Sequence, residues 1–309
     1  MKLKLIALAA MLAASASSHA AMDGATSGNG SLIANFIYQG GASATAGGDD
    51  MSASFDLGVD MNTVIGWNGI AGFTRTWNLS TGQLTGAGAG SAPSVPQTIG
   101  NYGTAFADLK EFAGASANLI QFNVIALDNT NKGTALTGSR YLSTGDTSFA
   151  SVNNGQLNAF DTMNLYVNAN NALGTHASEA NGASTATPTS APNSYFRAIN
   201  GFGTGDNWVT FSQSEDTTKA VTQSQQFWLL TNVAGSATAA VARTPFGFDL
   251  GDAGTTVNRA EEFSTWTVDL ASNTITFATP VPEAETWAMM VAGLGLMGFM
   301  ARRRKNNAV

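Results

Sequence analysis

Few residues in this sequence could perform hydrolysis through a serine nucleophile. After the first twenty residues, His176 is the single histidine, and it lies in a polar stretch that runs from Gly174 to Glu179. A serine hydrolase needs a histidine as general base beside its nucleophile. No serine of the chain has glycine both two residues before and two residues after it, as a nucleophile elbow requires. The sequence therefore predicts no catalytic Ser-His pair.

Carboxylates are the second source of hydrolytic chemistry. A glycosidase holds two of them about 5 to 9 Å apart. Three acidic pairs occur in the chain: Asp49 with Asp50, Glu215 with Asp216, and Glu261 with Glu262. Each lies among Gly, Ser, Thr or Arg, which is typical of solvated loop acids. We therefore predict no catalytic residue, and a glycosidase stays open as an alternative because chain spacing does not show which carboxylates meet in space.

Metal ligands are also scarce. The chain has no cysteine, and one histidine beyond residue 20 cannot build a structural zinc site. The stretch Asp128–Gly133 resembles the start of an EF-hand loop, but Thr130 and Lys132 stand where ligand oxygens are needed. Gly293–Gly298 fits the dinucleotide fingerprint in its letters alone, because no strand and helix surround it. We predict no metal and no cofactor; calcium is the ion that acidic loops would favour, and no motif supports it.

The charge distribution limits the partners. Charged residues make up 11% of the chain, against about 25% in typical soluble domains. Eight Lys or Arg and nineteen Asp or Glu residues lie between Ala21 and Pro280, and the basic ones form no cluster. Nucleic acids are bound through clustered Lys and Arg. The composition therefore excludes nucleic acid as a partner and indicates a polar surface with few charges.

The first twenty residues have the three parts of a signal peptide. Lys2 and Lys4 precede an apolar stretch, Leu5–Ala14, and small residues follow up to Ala20. Signal peptidase cuts after such small residues. The sequence therefore predicts a signal peptide over residues 1–20, cleavage by signal peptidase between Ala20 and Ala21, and export of the rest.

The last residues also contain three parts in a fixed order. A Pro-Glu segment comes first, an apolar run over residues 287–301 follows, and four cations end it. The residues of the first and last parts are Val281, Pro282, Glu283, Ala284, Thr286 and Trp287, and then Arg302, Arg303, Arg304 and Lys305. A helix over residues 287–301 would be about 22 Å long, short of the roughly 30 Å hydrocarbon core. Trp287 at one interface and snorkelling cations at the cytoplasmic one would let it span as a transmembrane segment.

This tail, over about residues 281–305, resembles the PEP-CTERM sorting tail of Gram-negative bacteria. Ala284 departs from it, because the family's name implies a second proline there. The resemblance implies processing by an exosortase near Pro282 and Glu283, after transient insertion in the inner membrane. It also implies release to the cell surface, the outer membrane or the exopolysaccharide matrix of a biofilm.

The region between the two ends, residues 21–280, reads as one exported β-rich domain. Short apolar alternations separated by Gly, Asn, Asp and Ser predict strands joined by turns. The predicted strands are Ser31–Tyr38, Met51–Leu57, Gly72–Leu79, Leu119–Leu127, Trp208–Ser212, Gln226–Asn232, Glu262–Leu270 and Thr274–Ala278. We expect an antiparallel β-sandwich, jelly-roll-like, whose last two strands form a hairpin through Ala271, Ser272 and Asn273.

Two segments have apolar residues at helical spacing, Thr104–Ala115 and Gln156–Leu173, and we expect short helices packed on the sheets. The low-complexity stretches Gly86–Pro96 and Ala177–Asn193 predict long exposed loops, and the second, residues 177–193, is a candidate domain boundary.

The leading functional prediction is a non-catalytic structural or adhesive protein of the cell surface or exopolysaccharide matrix. The alternative is a carbohydrate-binding module or glycosidase acting on exopolysaccharide. The tryptophans Trp67, Trp77, Trp208, Trp228 and Trp266 are predicted in the core rather than as sugar platforms. Ice binding would need a regular Thr-x-Thr array, and the pairs Thr74/Thr76, Thr185/Thr187, Thr265/Thr267 and Thr274/Thr276 are irregularly spaced along the chain. Ice binding is therefore not favoured.

Overall fold

A computed structural model describes residues 22–24, 28–40, 50–88, 95–128, 139–145, 153–159, 163–173, 182–187, 191, 193–195, 218–248, 262–281 and 291–297. The strands are β1 (Ser31–Gln39), β2 (Asp50–Asp60), β3 (Thr74–Asn78), β4 (Gln83–Ala87), β5 (Gln97–Thr98), β6 (Gln121–Asp128), β7 (Arg140–Gly145), β8 (Ala183–Ala186), β9 (Lys219–Ala220), β10 (Gln225–Thr231), β11 (Ala242–Pro245), β12 (Thr265–Asp269) and β13 (Thr274–Ala278).

All the described strands join one antiparallel 13-stranded sheet. Its order is β5-β4-β3-β13-β12-β10-β7-β6-β1-β2-β8, while β11 pairs with β10 and β9 pairs with β6. The predicted mostly-β, antiparallel class is confirmed. The two separate sheets of a sandwich are not found among the described strands, because one sheet curls into a half-barrel instead.

The inner face of the curl holds the main hydrophobic core. Phe36 and Phe55 from β1 and β2 belong to the same buried cluster as Trp77, Trp266 and Phe277 from β3, β12 and β13. Strands from distant parts of the sheet order therefore share one core. These residues face the core because every second side chain of a strand points to the same face of the sheet.

Helices cover both faces of the sheet. They are α1 (Met61–Ile65), α2 (Ala105–Ala113), α3 (Asn154–Ala159) and α4 (Met163–Ala172), and a 3-10 helix spans Gly114–Leu119. The α2 helix confirms the segment predicted at 104–115 and buries Phe106 and Leu109 in the main core. The segment predicted as one helix at 156–173 overlaps α3, which begins two residues earlier, and contains α4; residues 160–162 lie outside the described part.

A second, more polar core lies on the outer face of β1, β2, β6 and β7. Ile33 and Ile125 of this face pack with Leu157 of α3 and with Tyr166 and Val167 of α4. Because this part of the sheet is covered on both faces, its polar side chains are buried as well.

Several sequence predictions need correction. The stretch 177–193, predicted as an exposed loop, contains β8, which pairs with β2 and is largely buried. A domain boundary in this stretch stays a prediction. The β8 residues Ala-Ser-Thr-Ala are small enough to fit under the covering segments, and they lack the bulky alternation that marks a strand. The strand predicted at Trp208–Ser212 lies outside the described residues.

The hairpin predicted near the end of the domain is confirmed. β12 and β13 pair antiparallel from Thr265 with Ala278 to Asp269 with Thr274. Asn273 takes a positive φ of 54° in the turn, a conformation that asparagine tolerates better than most residues. The Lys110 ammonium of α2 donates to the Leu270 oxygen at 3.1 Å, which fixes the hairpin against the helix.

Candidate functional site

Four neighbouring strands, β4, β3, β13 and β12, present a row of threonines on the outer face of the half-barrel. Residue pairing aligns Thr85 with Thr76, Thr76 with Thr276, and Thr276 with Thr267. The row therefore crosses all four strands at right angles to the chain. Thr85 and Thr267 are exposed, and the two in the middle are half-buried.

Further threonines flank this row in the same register. Thr74 and Thr265 both pair with Ala278 on one side, and Thr274 lies between Asn78 and Asp269 on the other. We call the seven residues Thr74, Thr76, Thr85, Thr265, Thr267, Thr274 and Thr276 the threonine face. In a sheet, neighbouring strands are about 4.8 Å apart and side chains two residues apart on one strand are about 6.7 Å apart. Hydroxyl and methyl groups thus repeat across the face at those intervals.

The threonine face rests on a rigid aromatic layer. Trp77 and Trp266 stack with ring centroids 5.5 Å apart, and Trp266 contacts Phe277 at 5.1 Å. The three rings are completely buried. On the face itself, the Thr76 and Thr276 hydroxyls are hydrogen-bonded at 2.9 Å. The predicted core location of Trp67, Trp77 and Trp266 is confirmed, Trp228 is half-buried, and Trp208 lies outside the described residues.

Sequence reasoning missed this surface. Three of the four Thr-x-Thr pairs, from β3, β12 and β13, come together on adjacent strands, although they are irregularly placed along the chain. The fourth pair begins at Thr185 in β8, at the far end of the sheet order. The confirmed hairpin was the available signal, since it aligns Thr267 with Thr276. The pairing of β13 with β3 gave no local signal.

The acidic pairs differ from their prediction. Asp50 and Glu262 are buried, not solvated loop acids. Asp50 begins β2, whose covered face carries polar side chains, and the Glu262 main-chain oxygen accepts from the Phe248 amide at 2.9 Å. The other acids of these two pairs, Asp49 and Glu261, lie outside the described residues, as do Glu215, Asp216 and His176.

A cleft of about 290 Å³ opens where the start of α2 meets β8. Among its described lining residues Asp108 is the single carboxylate, and it accepts a hydrogen bond from the Thr104 hydroxyl at 2.8 Å. A glycosidase needs two carboxylates. The described part of the cleft lining holds one.

A buried polar network fills the outer face beneath α4. The Tyr166 hydroxyl donates to Asn35 Oδ1 at 2.6 Å, the Ser54 hydroxyl donates to the same atom at 3.0 Å, and Asn35 Nδ2 donates to Asn123 Oδ1 at 3.1 Å. Burial raises the pKa of Tyr166 well above its ordinary value. These groups satisfy one another, as buried polar groups must, and the arrangement fits a structural role.

The region considered for calcium is occupied by an ion pair. Arg140 Nη2 lies 2.7 Å from Asp128 Oδ2 and also donates to Asn62 Oδ1 at 3.1 Å. Residues 129–133 lie outside the described part. Within the part that is described, no group of three His, Cys, Asp or Glu side chains could hold a metal ion.

The folded domain ends at a well-defined exit point. After β13, Thr279 exchanges two 2.8 Å hydrogen bonds with Phe73, through its amide to the Phe73 oxygen and through its hydroxyl from the Phe73 amide. The Pro280 oxygen accepts from the Gly72 amide at 2.8 Å. Val281 follows and is 67% exposed. The chain therefore leaves the sheet one residue before the predicted Pro-Glu motif.

Part of the apolar tail is described and does not enter either core. Residues 291–297 are helical, and Val291, Leu294, Leu296 and Met297 expose more than half of their surface. No helix in the described ranges is both long and apolar enough to cross a membrane. The other predicted residues of the two ends lie outside those ranges. They are Pro282, Glu283, Ala284, Thr286, Trp287, Arg302 to Lys305, and the cleavage site at Ala20 and Ala21.

Comparison with known proteins bears on this tail alone. No curated protein and no solved structure matches the chain. Residues 280–305 match the sequence family described as the PEP-CTERM protein-sorting motif. The match begins at Pro280, whose oxygen accepts the last hydrogen bond to the domain among the described residues. The chain therefore carries a PEP-CTERM sorting signal, which marks it as an exported substrate of an exosortase-type enzyme.

Proposed function

We propose that this protein is a non-catalytic adhesive component of the cell surface or matrix, and that it binds neutral polysaccharide through the threonine face. The observation that carries the proposal is the row Thr85, Thr76, Thr276 and Thr267, exposed at its two ends and half-buried in the middle, on the sheet of a protein sorted outward. Export by the sorting signal is consistent with a partner outside the cell, and the threonine face supplies a surface that can contact a polymer there.

The chemistry of the face suits an uncharged, hydroxyl-rich polymer. Threonine hydroxyls both donate and accept hydrogen bonds, and their methyl groups pack against C–H groups. Asp269 is the single charged residue in the aligned rows, at one corner, where hydrogen bonds from Ser272 and Ala271 lower its carboxyl pKa. The whole chain carries a net charge of -7, so acidic polymers would be repelled.

The absence of aromatic side chains from the aligned positions favours a polymer over a small sugar. Single hydrogen bonds contribute only about 0.5 to 1.5 kcal/mol each, and no ring is available for stacking. Many weak contacts along one chain add up, because each contact after the first is intramolecular. We therefore expect weak binding of oligosaccharides and measurable retention on a polymer surface.

Retention on microcrystalline cellulose, a neutral polymer, tests the proposal with the purified secreted protein. The triple change Thr76→Val, Thr276→Val and Thr267→Val removes three hydroxyls at nearly constant volume, and we expect at least tenfold weaker retention. Thr244→Val is the matched control, since Thr244 is an exposed strand threonine on β11, outside the face. Equal retention of the triple variant and the control contradicts the proposal, as does stronger binding to alginate, an acidic polymer.

A second candidate function is ice binding, favoured by the convergence of three Thr-x-Thr pairs on one face. The twist of about 20 to 25° between neighbouring strands turns the rows out of a common plane. A flat ice lattice would therefore contact fewer of these residues than a flexible polymer would. Thermal hysteresis that disappears in the triple variant, without cellulose retention, would establish ice binding instead.

A further inference from the structure

The first described residues form a strap, Met22–Gly24, over the second core. Met22 is 2% exposed and belongs to the buried cluster with Val167. The Asn171 side chain of α4 holds its main chain at both polar atoms, accepting from the Met22 amide at 2.9 Å and donating to the Met22 oxygen at 3.1 Å. One amide side chain thus acts as a clamp on the strap.

A second anchor joins the strap to β1. The Asp23 amide donates to the Ser31 hydroxyl at 2.9 Å, and the Ser31 amide donates to the Asp23 oxygen at 3.0 Å. A side chain at Gly24 would collide with the Asn164 amide of α4. The strap is therefore closely fitted to both β1 and α4.

A buried carboxyl group lies on the covered face of β2, opposite the part of β1 that anchors the strap. Asp56 pairs with Ile33, which is two residues from Ser31 along β1. Asp56 is 1% exposed, and its Oδ1 accepts from the Gly58 amide at 2.9 Å. The charged and titratable groups that interact with it are Asp23 from the strap, Tyr166 from α4 and Tyr102 from the segment before α2. All three are acids. Ionisation of Asp56 would therefore place a buried negative charge near the Asp23 carboxylate.

We propose that the strap is a pH-responsive latch, which is docked while Asp56 is neutral and is loosened when Asp56 becomes a carboxylate that repels Asp23. Burial, together with Asp23, raises the pKa of Asp56 from 3.8 to about 7. The latch therefore closes in mildly acidic surroundings and weakens in alkaline ones. This inference does not depend on what the threonine face binds.

Hydrogen exchange of the Met22, Asp23 and Ser31 amides tests the latch in the purified secreted protein. We expect their protection, corrected for the intrinsic pH dependence of exchange, to fall at least tenfold between pH 6 and pH 8. Asp56→Asn keeps an acceptor for the Gly58 amide without a charge, and it should abolish the fall. Asp269→Asn, a change in an exposed hairpin turn, should leave it intact.

Two outcomes would overturn the latch. One is protection in the wild type that does not change with pH, and the other is a fall of equal size in Asp56→Asn. If Asp56→Asn does not fold, Asp23→Asn decides the question, since Asp23 is exposed and both of its anchoring bonds use the main chain. On a logarithmic scale, the loss of amide protection between pH 6 and pH 8 should be at most half as large in Asp23→Asn as in the wild type. A loss equal to that of the wild type would contradict the repulsion.

Discussion

The Trp77 indole donates its Nε1–H to the Leu57 main-chain oxygen at 2.9 Å. Trp77 belongs to β3 and Leu57 to β2, and six strands lie between them in the sheet order. The bond therefore crosses the interior of the half-barrel and fixes its curvature. It also explains why one sheet can bury a core that would otherwise need two.

Trp77→Phe should lower the free energy of unfolding by about 1 to 3 kcal/mol beyond the loss of ring volume, because it leaves the buried Leu57 oxygen without its donor. Trp67→Phe is a matched control. Trp67 is equally buried, but its Nε1 has no hydrogen-bond partner in the part of the chain that the structure describes. Urea unfolding followed by circular dichroism measures both, and equal losses would show that the indole bond contributes nothing.

The free energy of unfolding should decrease as pH rises from about 4 to about 7. In this window Asp56 is protonated in the folded protein and ionised in the unfolded chain, so the unfolded state binds fewer protons and gains stability with pH. A shift of about 3 pKa units corresponds to about 4 kcal/mol. Asp56→Asn should flatten this slope in denaturant titrations, and a slope that persists would assign it to other groups.

Gly86→Ala should destabilise the edge of the sheet by about 2 kcal/mol or more. Gly86 has a φ of 155°, and an added Cβ would collide with the Thr74 main-chain oxygen. Gly103→Ala is the control, because Gly103 also has a positive φ, of 53°, with open space around its Cβ position. It should show only the strain of about 1 kcal/mol for a left-handed residue. Thermal melting compares the two, and similar shifts would rule out the collision.

Thr279→Val should lower the melting temperature by several degrees, because the Thr279 hydroxyl accepts from the Phe73 amide and donates to the Ile70 oxygen.

Removing every residue after Val281 should leave the melting temperature within about 1 °C, since the last described hydrogen bond of this exit segment ends at Pro280. A large effect of the truncation would mean that the tail packs on the domain.

Replacing Arg302, Arg303, Arg304 and Lys305 by serine should prevent correct sorting, because the cations would hold the end of the tail at the cytoplasmic face. We expect the protein in the surface or matrix fraction to fall at least tenfold. Arg243→Ser, a change at an exposed cation of the folded domain on β11, is the control and should not alter sorting. Unchanged surface amounts after the tail change would contradict a role of the cluster.

The elements that were predictable are those defined by local alternation. The hairpin of β12 and β13 was readable because Thr265–Asp269 and Thr274–Ala278 are separated by a short polar turn. The threonine face was not, because the contact of Thr76 with Thr276 joins residues 200 positions apart. Periodicity identifies strands, but the pairing of distant strands follows from core packing.

Burial of polar residues was equally hidden. Asp50 and Glu262 were predicted as solvated loop acids, yet both are buried, and so is Asp56. Sequence alternation cannot show that part of the sheet is covered on both faces, since the covering residues Tyr166 and Met22 come from distant segments. The sorting tail could be recognised from the sequence, because its parts are contiguous and do not depend on contacts between distant segments.

The two ends of the open sheet affect whether neighbouring copies of the protein can aggregate. Unpaired strand edges can recruit the edges of other molecules and start fibrous aggregation. One end here is β5, only two residues long, and the other is β8, where Asn193 already occupies the Thr185 oxygen at 2.7 Å. These two ends of the sheet are therefore poor templates for the strands of neighbouring copies.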